Sequence, residues 1–445
     1  MGDIKESLEK QICHLAKKFL QKAENNEIQI ISHFDTDGVS SAAIMTKTLK
    51  LLDKKFTLII TKSLEEKIIK TIPKNKLTLF LDLASNSLGH IQNAGLKEVF
   101  IIDHHQISQK IPDEIEIINP ELHKSQKISS SGLVYLFCKE LCSKAKDFAK
   151  LAVLGMVGDL LEKEIDKMNN GILEDGEIKR KRGLLIYPST RPLNRVLEYS
   201  SSPFIPGITG NAKGVLELLR DINLTPKSGK YKSIIDLDSE EMEKLVTAIM
   251  LRNPRAKYKD IIGDIFLIKM FNKLEDAREI SAAVNACSRL GESEIALQFL
   301  MEIPKAKKKA EAIHIKYRQH LIEALRIANE QEKIMGNGFV IINTKEKIKD
   351  TIVGTVASIL SSSSIYDEGT AIITMAHYED KIKISARLAG RKGRNLREVL
   401  ARVVSQVGGE VGGHDAAAGA IISQENEAAF IELLKKNLEI EMVKV

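Results

Sequence analysis

The chain has 445 residues, 43% hydrophobic and 28% charged, and a net charge of +6. At roughly 150 residues per domain, this length predicts two or three domains with ample core and no need of a disulfide or zinc staple. No apolar run reaches the ~18 residues of a membrane span, which excludes a helical integral membrane protein, and the mild basicity suits a polyanionic partner without specifying one.

The first residues, MGDIKESLEK, form neither a signal-peptide core nor a myristoylation pattern, since Glu6 stands where Ser or Thr is needed. Cys13, Cys138, Cys142 and Cys287 lack the spacing of zinc ligands or of a secreted disulfide framework, so a cytoplasmic protein is expected.

In chain order, a helix over 3–24 precedes four short, β-branched runs at 27–32, 77–82, 98–103 and 114–119. Helical periodicity over 40–52, 131–141 and 147–162 separates or follows them. This alternation predicts a doubly wound parallel sheet over residues 1–165. The stretch KEIDKMNNGILEDGEIKRKRG from 163 mixes charge with Gly and Asn and reads as a linker or exposed loop. Pro188, Pro192, Pro203 and Pro206 suggest an irregular connection, and 212–224, 238–252 and 274–290 read as helices, making 166–304 a mainly helical insertion. A long connecting helix over 305–334 repeats Ala306, Ala310, Ile313, Tyr317, Leu321, Ala324 and Ala328 at helical spacing, with Lys305, Lys307, Lys308 and Lys309 on a solvated face. From Gly338 the alternation resumes: strands at FVIINT, AIITMAH, KIKISARL and AIIS, and helices over 351–361, 394–407 and the C-terminus. Residues 335–445 are therefore a second, smaller α/β domain.

The chemistry gathers at strand ends. The first strand runs into Ser32-His33-Phe34-Asp35-Thr36-Asp37-Gly38, where side chains two apart point the same way, so His33, Asp35 and Asp37 can converge. Taken alone, this is an Asp-rich turn capping a helix. The next strands end at Asp82 and at Asp103-His104-His105, and Asp159 closes a helix after Gly155 and Gly158, where small residues permit close approach. Ligands in open α/β sheets bind at these carboxyl ends. Hard carboxylates with some imidazole suit Mn²⁺ or Mg²⁺, and so many ligands suit two ions roughly 4 Å apart that share a carboxylate and a water. The implied reaction is metal-assisted phosphoester hydrolysis. Near the C-terminus, Gly408 to Gly419 offers backbone amides, and Gly412, Gly413 and His414 could contact a phosphate. Arg387, which closes KISARL, could do so bidentately, though alone it reads as a surface charge.

These motifs resemble the DHH phosphoesterases, named for the triplet present here as Asp103-His104-His105. GGHDAAAG at 412–419 resembles the glycine-histidine motif of the associated DHHA1-type domain. Asn285-Ala286-Cys287-Ser288-Arg289-Leu290-Gly291 resembles a RecJ motif that contacts substrate. Thr190-Arg191-Pro192-Leu193 and Phe204-Ile205-Pro206-Gly207 resemble a further segment of archaeal RecJ-like nucleases.

The resemblance implies a DHH domain over 1–165 and a DHHA1-type domain over 335–445, facing each other across the active site. It makes Asp35, Asp37, Asp82, His104 and Asp159 metal ligands, with Asp82 bridging, and His33 a ligand or a residue behind one. His105 would face the scissile phosphate, Asp103 would orient its neighbours, and Asn285, Arg289, Arg387, Gly412, Gly413 and His414 would hold substrate. The function so implied is that of a Mn²⁺- or Mg²⁺-dependent exonuclease on single-stranded DNA or RNA, running 5′-to-3′, in replication or repair. GINS, the replicative helicase complex or a repair helicase would be its protein partner, and no membrane is involved. The alternatives are a phosphodiesterase on dinucleotides or short oligonucleotides, disfavoured by the ~140 residues between the domains, and a replicative-helicase scaffold.

Overall fold

The computed structural model describes residues 7–443 except 124–125, 164, 201–202, 204, 253–257, 364 and 391–392. Phe204 and the first turn of the helix expected over 3–24 thus lie outside the described residues. The chain forms two compact units, one of Met1–Arg191, Ser233–Asp236 and Ile262–His314, the other of Pro192–Lys232, Leu237–Ile261 and Ile315–Val445. Among the described residues no helix is long and apolar enough to cross a membrane.

The first unit is built on strands β1 (Ile28–His33), β2 (Phe56–Thr61), β3 (Leu77–Leu81), β4 (Glu98–Ile102) and β5 (Ile115–Ile118). They form one sheet in the order β2-β1-β3-β4-β5, every pair parallel. Alternation explains the layers. Ile30, Leu79 and Phe100 join a core beneath helices Leu8–Lys22, Thr36–Leu51 and Ser130–Leu141, while Ile31, Phe80 and Ile101 join a second core on the other face. Burial on both faces is why these strands read as continuous apolar runs. The direction of winding reverses between β1 and β3, which marks the place where such sheets bind ligands.

The helix expected over 147–162 is shorter than its periodicity suggests. It runs from Ala149 to Gly158, between a 3₁₀ turn at Ser143–Phe148 and another at Leu161–Lys163. The stretch read as a linker is a correction. It folds into a helix, Lys167–Asp175, capped by Asp166 through the N–H of Asn169, and into strand β6, Lys179–Leu184. Strand β6 pairs antiparallel with β7 (Ile262–Met270), which pairs with β8 (Lys273–Asp276). Its basic side chains concealed the strand, because Arg180 is neutralised by Asp264 of β7. Sequence near in space but distant along the chain supplied what local pattern could not.

The second unit carries helices Leu193–Glu198, Ala212–Asp221 and Ser239–Arg252, and a six-stranded sheet. Its strands are β9 (Lys333–Gly336), β10 (Phe339–Asn343), β11 (Ala371–Tyr378), β12 (Lys381–Leu388), β13 (Glu410–His414) and β14 (Ala417–Ser423). The order is β13-β14-β12-β11-β10-β9, with only β10 and β11 parallel. The glycine-rich segment is therefore not a loop but an exposed edge strand in a hairpin with β14. Glycine is required at Gly413, whose φ is +110° and where a Cβ would stand 2.5 Å from Ala417 O. The long helix spans Pro304–Glu330; Ala306, Ala310, Tyr317, Ala324 and Ala328 are its buried stripe, and Lys305, Lys308 and Lys309 are exposed.

Candidate metal centre

The carboxyl ends of β1, β3 and β4, with the help of two helices, gather the side chains expected at the metal site. β1 ends at His33, and Asp35 caps the helix Thr36–Leu51 by accepting the N–H of Gly38 at 3.0 Å. His33 Nδ1 lies 3.1 Å from Asp35 Oδ2 and 3.3 Å from Asp82 Oδ2. Asp82 follows β3 with φ +61°, a conformation unfavourable for a residue with a Cβ, and its N–H still continues the ladder to Ile102 O. His104 Nε2 stands 3.6 Å from Asp82 Oδ1 and 3.4 Å from Asp159 Oδ2.

Asp37 departs from the strand-alternation argument. It lies in the first turn of its helix and is buried, facing the start of the helix Ser130–Leu141. Its two oxygens accept the N–H groups of Ser130 (2.7 Å) and Ser131 (3.0 Å), donors that a helix N-terminus leaves without an internal partner. The helix turn at Thr36 thus sends Asp37 to pair with Asp159 rather than with His33.

Asp103 is wholly buried and binds inward. Its Oδ1 accepts the N–H groups of His104 (2.8 Å) and His105 (3.2 Å) and contacts His105 Nδ1 at 2.7 Å, while Oδ2 accepts the N–H of Ser85 at 3.0 Å. His105 is the most exposed of His33, His104 and His105.

The electrostatics follow from crowding these charges in a buried place. Burial, reinforced by Asp35, Asp37 and Asp103, holds the Asp82 carboxyl well above the usual aspartate range. Burial together with Asp37 and Asp82 does the same to Asp159. Burial opposes ionisation of Asp35 as well, but the neighbouring His33 imidazole outweighs it and holds that carboxyl low. Against the same burial, His105 and Ser85 hold Asp103 low. His33 and His105 are raised because Asp35 and Asp103 overcome their burial, whereas burial prevails at His104 and lowers it.

Carboxyl oxygens are thus brought within 4.8 Å of one another in two pairs, Asp35 with Asp82 and Asp37 with Asp159. Asp82 Oδ1 and Asp159 Oδ2 are buried and accept no hydrogen bond. Unsatisfied buried carboxylate oxygens beside imidazoles are costly unless a cation meets them, so the donor set fits a hard divalent metal. Among the described residues, three groups bring their ligand atoms within 4.8 Å of one another: His33, Asp35 and Asp82; Asp37, His104 and Asp159; Asp82, His104 and His105.

The remaining expected residues lie elsewhere. Asn285, on the helix Ala277–Arg289, accepts the N–H of Thr36 through Oδ1 at 3.1 Å, and Arg289 ends the same helix. In the second unit, Arg387 of β12 donates to Ser358 Oγ (3.0 Å), Ala386 O (2.9 Å) and Ala418 O (3.3 Å). Gly412, Gly413 and His414 are exposed on β13. Sequence reading missed Ser130 and Ser131, whose amides cradle Asp37; the run of serines before an apolar helix was the available signal.

Residues 27–156 match the DHH family N-terminal domain, 186–260 the DHH-CID domain and 336–439 the DHHA1 domain. An uncharacterized protein of Methanocaldococcus jannaschii is 28% identical over 444 residues, covering 95% of this chain and 96% of its own. RecJ from Thermus thermophilus, solved in complex with Mn²⁺, superposes with a TM-score of 0.63 at 17% identity over 97% of this chain. The chain spans only 55% of that RecJ. CDC45 from Entamoeba histolytica superposes with a TM-score of 0.66 at 12% identity, over 97% of this chain and 99% of that one. At such identities the shared property is the fold. The chain thus carries the DHH, DHH-CID and DHHA1 domains in that order along a RecJ-like fold.

Proposed function

We propose that the chain is a Mn²⁺- or Mg²⁺-dependent phosphodiesterase that degrades single-stranded DNA or RNA from a free end in the 5′-to-3′ direction. The observation that carries this reading is the doubled carboxyl pairing, Asp35 with Asp82 and Asp37 with Asp159, each within 4.8 Å and closed in by an imidazole. A proton relieves each contact only by neutralising one partner. A divalent cation relieves it with both ionised. Asp82 belongs to two of the ligand groups, with His33 and Asp35 and with His104 and His105, and His104 joins the latter to Asp37 and Asp159, a set that would suit two ions. The RecJ of Thermus thermophilus has been solved with Mn²⁺ and with Mg²⁺, which supports the choice of metal.

When bound, such ions neutralise a phosphodiester and lower the pKa of an attacking water. The chain's own residues supply orientation. Asp103 accepts from Nδ1 of His105, which fixes the ring and favours the imidazolium, whose Nε2–H could donate to the scissile phosphate. Asp103 is itself held by the amides of Ser85, His104 and His105, so the pair cannot swing without breaking buried hydrogen bonds. Arg387, Gly412, Gly413 and His414 would hold neighbouring phosphates, and Arg289 would contact the strand beside the centre. The preference for a single strand and the polarity rest on the family resemblance.

A second reading, a structural part in a replicative helicase complex with GINS or a repair helicase as partner, is favoured by the fold shared with CDC45. The intact set of acidic and imidazole ligands favours catalysis, alone or alongside that part. Single strands labelled at either end, a circular single strand and a dinucleotide, each with and without Mn²⁺, separate the readings. Mn²⁺-dependent shortening from the 5′ end supports the proposal. Cleavage of the dinucleotide alone, or of the circle, or of nothing, overturns it.

A further inference from the structure

The metal loop is held from a distance by one helix of the same unit. Thr36 stands between Asp35, which groups with His33 and Asp82, and Asp37, which groups with His104 and Asp159. Its N–H belongs to the first turn of the helix Thr36–Leu51 and has no partner within that helix. Asn285, 249 residues downstream, accepts it through Oδ1 at 3.1 Å. Ser281, one turn earlier on the helix Ala277–Arg289, completes the clamp: Thr36 Oγ1 donates to Ser281 O at 3.0 Å and accepts from Ser281 Oγ at 3.1 Å.

Nothing in this set is loose. Thr36 is 1% exposed, Ser281 6% exposed, and Gly158 closes the third side, where a Cβ would press on Thr36 Cβ at 2.9 Å. The clamping helix is anchored in its turn by Asp276, which caps it through the N–H of Arg278 and also accepts the N–H of Ser189 at 3.0 Å. The Asn285 contact therefore holds the backbone at the residue between the two carboxyls.

We infer that Asn285 is a positioning residue of the metal centre: its side-chain carbonyl fixes the Thr36 peptide so that Asp35 and Asp37 face separate ions. This role differs from the substrate contact that the family resemblance implies, and it rests on the metal-dependent reading above. Residues that orient ligands in this way usually cost tenfold or more in metal affinity when removed.

The test uses the full chain with Asn285→Ala, Asn285→Asp and Ser281→Ala. Amide exchange of the peptide spanning Thr36 is followed in the metal-free protein, Mn²⁺ affinity is measured by calorimetry, and the Michaelis constant for a labelled oligonucleotide is measured alongside. Asn285→Ala should exchange faster at Thr36 and bind Mn²⁺ about tenfold more weakly, with the Michaelis constant within about twofold of wild type. Asn285→Asp, which keeps the acceptor, should restore slow exchange, and Ser281→Ala should give a smaller effect of the same kind. Unchanged exchange and Mn²⁺ affinity in Asn285→Ala with a raised Michaelis constant would overturn the inference in favour of substrate contact. Equal impairment of Asn285→Ala and Asn285→Asp would overturn it too. A wild-type chain that takes up no Mn²⁺ would instead overturn the metal-dependent reading, whatever the exchange at Thr36.

Discussion

The carboxyl of Asp37 occupies the space that a side chain at position 155 would need: a Cβ on Gly155 would lie 2.1 Å from Asp37 Oδ1 and 2.0 Å from Ser131 Oγ. Both neighbours are held, Asp37 by the Ser130 and Ser131 amides and Ser131 Oγ by Ala152 O at 3.2 Å and Ser129 Oγ at 3.0 Å. Gly155→Ala should therefore displace Asp37, cost about 1–3 kcal/mol of stability and abolish tight Mn²⁺ binding. Calorimetry and thermal unfolding of the purified variant check this. Wild-type Mn²⁺ affinity in Gly155→Ala would contradict the placement of Asp37.

Asp82 gives a prediction of opposite sign for stability. Its carboxyl is 1% exposed, crowded by Asp35, Asp37 and Asp103, and one of its oxygens accepts no hydrogen bond. Asp82→Asn keeps the shape and removes the charge. Metal-free Asp82→Asn should melt a few degrees higher than wild type, on the order of 1 kcal/mol, while losing hydrolysis and the Mn²⁺-induced rise in melting temperature. A lower melting temperature without metal would show that the carboxylate is stabilising as it stands.

Raised carboxyls also set a pH dependence. Asp82 and Asp159 hold protons above the usual aspartate range in the metal-free fold, so the folded chain binds more protons than the unfolded one there. Their contribution to metal-free stability is present in acid and lost as pH rises through those raised values. Asp35 and Asp103 act in the opposite sense, and only in acid below the usual aspartate range. Mn²⁺ must displace the protons on Asp82 and Asp159, so its affinity and the stabilisation it brings should both grow as pH rises above the usual aspartate range. Calorimetry in buffers of different ionisation enthalpy should register proton release on binding. Affinity independent of pH would contradict the assignment.

For the second unit, His414→Ala and Arg387→Ala should each lower catalytic efficiency by one to two decades, about 1.5–3 kcal/mol, with Mn²⁺ affinity near that of wild type. Ser358→Ala, which removes a 3.0 Å support of Arg387, should give a milder loss of the same kind. Loss of Mn²⁺ binding in either of the first two, or unchanged turnover in both, would contradict a substrate-holding role.

Much of the candidate centre was legible because several of its side chains stand at strand ends. β1, β3 and β4 are largely apolar, so the first charged side chains after them, His33, Asp82 and Asp103, stand out and mark the ligand-binding end of the sheet. β2 escaped notice because FTLIIT lies on an edge, half exposed, between charged turns. The true direction of Asp37 was illegible, since strand alternation stops at the helix turn after Asp35 and the amides that hold it come from 93 and 94 residues away. The Asn285 contact to Thr36 was equally hidden, because a motif shows residue types and not which backbone group they meet. The basic strand β6 reads as a loop until Asp264 stands opposite Arg182 across the ladder and pairs with Arg180.

The central claim, a metal-dependent phosphodiesterase centred on Asp82, is tested most directly by incubating a 5′-labelled single strand with wild type and Asp82→Asn, each with Mn²⁺ or with a chelator. The account predicts progressive shortening only for wild type with Mn²⁺, with Asp82→Asn folded and inert. Hydrolysis by wild type in chelator, or by Asp82→Asn at the wild-type rate, would contradict it.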